Sequence, residues 1–162
     1  MSRDEFVERF GGVFEHSPWI AERAWEPGPG GETESADALH AALCRAFRAA
    51  TRDERMGVIR AHPDLAGRLA LAGSLAPAST AEQASAGLDR CTPDELARFR
   101  ALNDAYREKF DFPFIMAVRG VSRKEILAAF ERRIGNDPAC EFEEALRQIE
   151  RIALLRLKEM LP

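Results

Sequence analysis

Apolar residues along this chain recur at intervals of three and four, the spacing that lines one face of a helix, and no window alternates with the period of a strand. From Ser35 to about Ala50 the stripe runs Leu39, Leu43, Ala46, Phe47 and Ala50. Beyond Thr92 it runs Leu96, Phe99, Leu102, Tyr106 and Phe110, and beyond Asp137 it runs Phe142, Leu146, Ile149, Ala153, Leu157 and Met160. Polar residues mark the starts. Ser2 with Glu5, Thr51 with Glu54, Thr92-Pro93 with Glu95, and Ser122 with Glu125 have capping-box spacing, in which each side chain satisfies a backbone donor near the other. Ser17-Pro18 predicts a cap and a first-turn proline opening a short helix through Trp25, and Asp137-Pro138 opens the last helix in the same way. Ser79 or Thr80 caps a helix expected to reach about Leu88.

Stops are equally legible. Pro63 disfavours helical geometry at His62, and Gly135-Asn136 offers a left-handed end. Residues 26–32, rich in proline and glycine, can only be loop, and the signal is weak over residues 67–73. The pattern predicts an all-α fold of about eight helices joined by short loops, bundle-like, in one compact domain covering residues 1–162.

Composition sharpens this picture. Alanine occurs 27 times, whereas Val, Ile and Thr together occur 16 times, a bias toward helix. The hydrophobic share of 46% and charged share of 31% exclude wholesale disorder. A net charge of −4 supplies no positive field for nucleic acid or anionic lipid, and 20 arginines against 3 lysines are interleaved with acids as on a solvated surface. No apolar run approaches the ~18 residues of a membrane span. The polar start and the final Met160-Leu161-Pro162 match neither a secretory signal nor a peroxisomal address. Three cysteines without CxxC spacing fit a reducing, cytoplasmic setting.

Three features depart from what packing alone produces. His62-Pro63-Asp64 holds an imidazole at a helix end beside a rigid proline, a place suited to proton transfer and equally to capping the last carbonyls. Ser79, Thr80, Ala81, Glu82 and Gln83 open a helix whose free N–H groups can hold an anion, although the same residues spell a capping box. Arg156 falls on the apolar face of the last helix, either as a fork for a carboxylate or as a stem whose head snorkels to water. Between them, residues 109–120 are dense in aromatics, broken by Pro113 and ended by Gly120. Such a run is core, or a backbone wall offering N–H and C=O groups to a small ligand. His16 and His40 lack partners at metal-ligand spacing, His40 and Cys44 read as helix-face residues, and no phosphate loop or nucleophile elbow is present.

Several of these stretches together resemble one family. Phe10-Gly11-Gly12, Glu15-His16-Ser17-Pro18-Trp19, Ala24-Trp25, His62-Pro63-Asp64-Leu65, Ser79 to Gln83 with Ala86-Gly87-Leu88, Leu102-Asn103 with Tyr106, Lys109-Phe110 with Phe112-Pro113-Phe114, and Leu155-Arg156-Leu157 are similar, in order, to the 2-oxo-4-hydroxy-4-carboxy-5-ureidoimidazoline (OHCU) decarboxylases. The resemblance implies an all-helical, cofactor-independent enzyme, usually a homodimer, that forms (S)-allantoin in the last step of urate degradation. It implies a catalytic role for His62 with Glu82 as its partner acid. It implies substrate binding by Pro63, Ser79, Thr80, Ala81, Gln83, the backbone of Phe114, Ile115, Met116, Ala117 and Val118, and Arg156. Loss of CO₂, as from a β-keto acid, then needs neither metal nor pyridoxal. Asp111 stands where many members carry glycine. A non-catalytic helical interaction module, or a lyase or hydrolase acting on another ureido heterocycle, are the competing expectations.

Overall fold

Most of the caps anticipated for the described residues form, Ser122 through its hydroxyl alone, without the reciprocal bond from Glu125. In the computed structural model, which describes residues 1–25, 35–63 and 92–161, the Ser2 N–H donates to Glu5 Oε2 at 2.6 Å while Glu5 N–H donates to Ser2 Oγ at 3.3 Å. Thr51 and Glu54 exchange the same two bonds at 3.1 Å, and Thr92 and Glu95 at 3.2 Å. Ser35, Ser122 and Asp137 each accept from a backbone N–H three residues on. Behind these caps the described residues form seven helices and no strand. They are α1 (Arg3–Phe10), α2 (Trp19–Ala24), α3 (Ala36–Ala49), α4 (Arg52–Ala61), α5 (Pro93–Phe110), α6 (Arg123–Arg133) and α7 (Pro138–Met160). The fold is all-α. The loop expected at residues 26–32, the weak stretch at 67–73 and the helix expected from Ser79 or Thr80 lie outside the described residues. Among the described residues, no helix is long and apolar enough to cross a membrane.

The backbone divides into two compact units. The first comprises Met1–Ala61 and Ile149–Pro162, hence α1 to α4 and the end of α7. Its buried side chains include Phe6, Phe10, Phe14, Leu43, Phe47, Ile59, Ile149 and Leu157, and the rings of Phe14 and Phe47 lie 5.2 Å apart. The second, His62–Gln148, holds α5, α6 and the start of α7. There Tyr106 sits among Phe110, Phe112, Phe114 and Phe130, each ring within 5.9 Å of its own. Aromatic pairs at such separations add to the burial of their surface.

Four local expectations are corrected. Ser17 does not cap α2; its hydroxyl donates to the Glu15 carbonyl at 2.9 Å, so Pro18 takes the cap position without a side-chain bond and the helix starts at Trp19. The same helix closes at Ala24, with Trp25 already extended. Gly135-Asn136 is no left-handed stop: α6 ends through right-handed Ile134, and the N–H groups of Gly135 and Asn136 turn back to Arg132 and Arg133. Met160 leaves the stripe and is 38% exposed, one turn beyond the last buried position, Leu157. The left-handed C-cap instead falls at Asp111 after α5, with φ 58° and ψ 30°, its N–H donating to Arg107. Only glycine enters this region freely, and aspartate is among the few other residues that tolerate it.

Asp111→Gly is therefore expected to keep or slightly raise the melting temperature. Asp111→Val, β-branched at positive φ, is expected to destabilise by about 1–2 kcal/mol, a fall of roughly 2–8 °C in thermal unfolding. A valine variant melting with the wild type would contradict the left-handed cap.

Candidate active site

Once α5 has closed at Asp111, the chain runs through residues 113–118 without helix, turn or bend. Pro113 lacks an N–H and the aromatic neighbours favour extended backbone, so the helical pattern cannot resume before Ser122. An irregular segment must find partners for its buried peptide groups outside itself. Two side chains supply them. Arg133 Nη1 donates to the Ile115 carbonyl at 2.6 Å, and Gln148 Oε1 accepts from the Ala117 N–H at 3.0 Å. Phe114 is stacked on Phe130, with centroids 3.8 Å apart and planes 12° from parallel, and the Arg133 guanidinium lies 4.3 Å from the Phe114 centroid. Farther along, Lys109 Nζ donates to the Ile134 carbonyl at 2.7 Å, tying the end of α5 to the end of α6.

Arg133 is itself held. Its Nε donates to Glu141 Oε1 at 2.6 Å, and the two side chains are 3% and 0% exposed. Tyr106 donates its hydroxyl to the same carboxylate at 3.0 Å and Asn136 donates to its other oxygen at 3.1 Å. Hydrogen bonds to its remaining lone pairs offset the lost hydration of a buried ion pair, and here Tyr106 and Asn136 supply two of them. Burial, followed by the Glu141 charge, raises the Tyr106 hydroxyl well above its ordinary range, so it remains a neutral donor. On the next turn Gln148 Nε2 donates to Glu144 Oε1 at 2.8 Å, and Arg147 donates to Glu144 at 2.9 Å. Partial burial opposes ionisation of Glu144, but these two hydrogen bonds prevail and hold its carboxyl below the usual range.

The other candidates fall as follows. His62 is the residue after α4 and is 7% exposed; Pro63 is half-buried. Ser79, Thr80, Ala81, Glu82 and Gln83 lie outside the described residues. In the first unit Arg156 does not snorkel. It is 4% exposed, with Nη1 donating to the Val13 carbonyl at 3.1 Å and Nη2 3.1 Å from the carboxylate of Glu15, itself 1% exposed. Thus the structure brings together the wall of Phe114, Ile115, Met116, Ala117 and Val118 and shows its supports. His40 Nε2 donates to the Glu150 carbonyl at 2.7 Å and also lies 3.2 Å from Cys44 Sγ. That nitrogen carries its proton and is no base for the thiol, which burial and the Glu150 charge push up to about 12.

Sequence reasoning missed Arg133, Glu141, Gln148 and Glu15. Two of them carried a signal. Arg133 follows Ile126 by seven residues and Phe130 by three, and Glu141 precedes Ala145 by four, which is the apolar-face logic that singled out Arg156. Gln148 looks like part of a solvated face, and Glu15 sits in a turn without periodicity.

A family model described as OHCU decarboxylase matches residues 1–158. The chain belongs to the OHCU decarboxylase family. It is 44% identical over 156 residues to a Haloferax volcanii protein named 2-oxo-4-hydroxy-4-carboxy-5-ureidoimidazoline decarboxylase, covering 96% of this chain and 89% of that one. Its structure is similar to the crystal structure of an (S)-allantoin synthase, with a TM-score of 0.78, 32% identity and 99% of this chain covered; this chain spans 51% of the synthase chain. A crystal structure described as OHCU decarboxylase in the presence of (S)-allantoin shares the fold, with a TM-score of 0.70 at 20% identity and coverage of 99% and 98%. In this OHCU decarboxylase fold, the pair behind the wall is a firm test of the packing. Glu141→Leu alone strands the Arg133 charge and is expected to destabilise by about 3–5 kcal/mol, whereas Arg133→Met with Glu141→Leu recovers part of that in urea unfolding, the Ile115 carbonyl and Tyr106 hydroxyl being left without these partners. A double-variant loss equal to the sum of the losses of Arg133→Met and Glu141→Leu measured singly would show the two residues to be uncoupled.

Proposed function

We propose that this chain is a cofactor-independent decarboxylase that converts OHCU to (S)-allantoin, completing urate degradation, and that it works in the cytoplasm as a homodimer of a single helical domain. The observation that carries this reading is the family match along residues 1–158. The chemistry asks little of a protein beyond orientation and proton handling. Ring carbon C4 of OHCU carries the carboxylate and a hydroxyl, and its neighbour C5 is part of a C=N bond. When the C4–carboxylate bond breaks, its electron pair forms a C4=C5 bond and the C=N pair passes to nitrogen, which takes a proton. The resulting enol then loses its hydroxyl proton to become the C4 carbonyl as C5 gains a proton on one face. One proton is consumed and CO₂ leaves. The neighbouring unsaturation accepts the electrons, which is why a holding site with an acid–base group suffices.

Roles are assigned accordingly. His62, with Glu82 as its partner, handles the proton that fixes the (S) configuration. Pro63 binds the substrate beside it. Ser79, Thr80, Ala81 and Gln83, with Arg156, hold the anionic parts of the substrate, and the backbone of residues 114–118 reads the ring and ureido amides. Support for the last assignment is that residues 114–118 form a non-helical run in which two peptide groups, the Ile115 carbonyl and the Ala117 N–H, are partnered by side chains instead of by a helix. Support for the imidazole is its placement, buried and immediately beyond the end of α4.

OHCU generated in situ decays spontaneously to racemic allantoin. Circular dichroism of that solution is expected to develop a lasting (S) signal when the protein is added. His62→Ala is expected to lower the rate by about 10²–10⁴-fold with unchanged far-ultraviolet dichroism. A racemic product with the wild-type protein would end the decarboxylase reading, and near-normal turnover by the alanine variant would remove His62 from the mechanism.

A further inference from the structure

We infer that Gln148 and Arg133 are positioning residues that aim the two peptide groups flanking Met116 at the ureido arm of the substrate, an inference that rests on the decarboxylase reading. The argument starts from peptide geometry. Within a trans peptide the C=O and the following N–H point in opposite directions and turn as one rigid plane. No cis peptide occurs among the described residues. Arg133 Nη1 holds the Ile115 carbonyl at 2.6 Å, so the Met116 N–H, at the other end of that plane, points away from Arg133. Gln148 Oε1 holds the Ala117 N–H at 3.0 Å, so the Met116 carbonyl, at the other end of the next plane, points away from Gln148. Two successive planes are thus pinned from behind by α6 and α7, and one residue presents both a donor and an acceptor on the opposite edge.

Three further observations fit this arrangement. From Phe112 to Val118 every residue is buried except Met116. Among the described residues, the hydrogen bonds of this run engage the Ile115 carbonyl, the Ala117 N–H and the Val118 carbonyl, and leave both peptide groups of Met116 uncommitted. Both clamps are also fixed behind. Gln148 Nε2 donates to Glu144 at 2.8 Å, which settles its amide orientation with the oxygen toward Ala117, and Glu141 anchors Arg133 at 2.6 Å. Glu141, Glu144 and Gln148 recur at three- and four-residue steps, so a single face of α7 supports the wall. A urea-type group offers an N–H beside a C=O, the complement of what Met116 presents. The bond from a charged guanidinium to the Ile115 carbonyl polarises that peptide and strengthens the Met116 N–H as a donor.

The test uses Gln148→Leu, which deletes the acceptor on a helix that leucine suits, with Gln148→Met as the companion should leucine pack badly. Steady-state turnover of OHCU is measured beside inhibition by (S)-allantoin, which carries a ureido arm, and by hydantoin, which has the ring without it. The expected result is a KM raised by about five- to tenfold with kcat within about twofold, the loss of one oriented hydrogen bond expressed in binding. Allantoin is expected to lose its advantage over hydantoin, whose inhibition stays unchanged. A variant with lower kcat but unchanged KM and an intact allantoin advantage would mean that Gln148 only stabilises the fold, and would overturn the inference while the decarboxylase reading stands. A wild-type protein that forms no (S)-allantoin would overturn both.

Discussion

A charge removed from water has to be met by its opposite and by enough hydrogen bonds to replace its hydration. Helix α7 carries two such charges on its buried side, Glu141 near its start and Arg156 near its end, each 4% exposed or less. Each is answered within its own unit, Glu141 by Arg133 and Arg156 by Glu15. The arginine does the same second task both times. Arg133 donates to the carbonyl of Ile115 and Arg156 to the carbonyl of Val13, both in segments that are not helical. A guanidinium suits this double duty because its donors fan out in a plane, so one edge can meet a carboxylate while another reaches a peptide oxygen. Lysine, a point charge on a flexible stem, would meet both partners without the same fixed geometry.

Helices satisfy their own backbone, whereas an irregular segment in an all-α protein has no neighbouring strand to pair with and must borrow side-chain partners. That requirement explains where the buried polar residues sit. Tyr106, Asn136, Glu141 and Arg133 form one network behind residues 113–118, and Glu15, Ser17 and Arg156 form another around the turn between α1 and α2. Irregular backbone held from one side is what recognition by peptide groups needs, because the unheld side then has a fixed direction. Apolar replacement of either pair would remove the buried charges but release the carbonyl that the arginine also holds.

What the sequence revealed follows the range of each signal. Capping boxes act across three residues and helix stripes across one face, so Ser2–Glu5, Thr51–Glu54, Thr92–Glu95 and the run from Phe142 to Leu157 are legible in the sequence alone. Ser17 was misread because a hydroxyl before a proline has two competing acceptors or donors nearby, and the Glu15 carbonyl won. Arg156 was visible as a charge on an apolar face, but its partner Glu15 lies in a turn with no period to expose it. Arg133 and Glu141 broke the same rule as Arg156 and could have been flagged together. Gln148 could not, since an uncharged amide on a half-buried face looks like ordinary surface until the Ala117 N–H is seen beside it. Glu82 and its neighbours rest on the family pattern.

The Glu15 pairing also limits what Arg156 can contribute to the proposed reaction. A lone buried guanidinium would offer a full positive charge to a departing carboxylate, and it would hold that carboxylate most tightly before CO₂ leaves. Strong ground-state attraction of this kind raises the barrier to decarboxylation, since the anion being stabilised is the one that must vanish. With Glu15 3.1 Å away, the arginine arrives already balanced, and its preset orientation through the Val13 carbonyl supplies direction more than charge. Such a group can orient an anionic substrate without trapping it. The same balance holds behind the wall, where Glu141 meets the Arg133 charge while the guanidinium also polarises the Ile115 carbonyl. In both places a buried acid balances an arginine that also holds a backbone carbonyl, and for Arg156 that balance suits the substrate-orienting role proposed above.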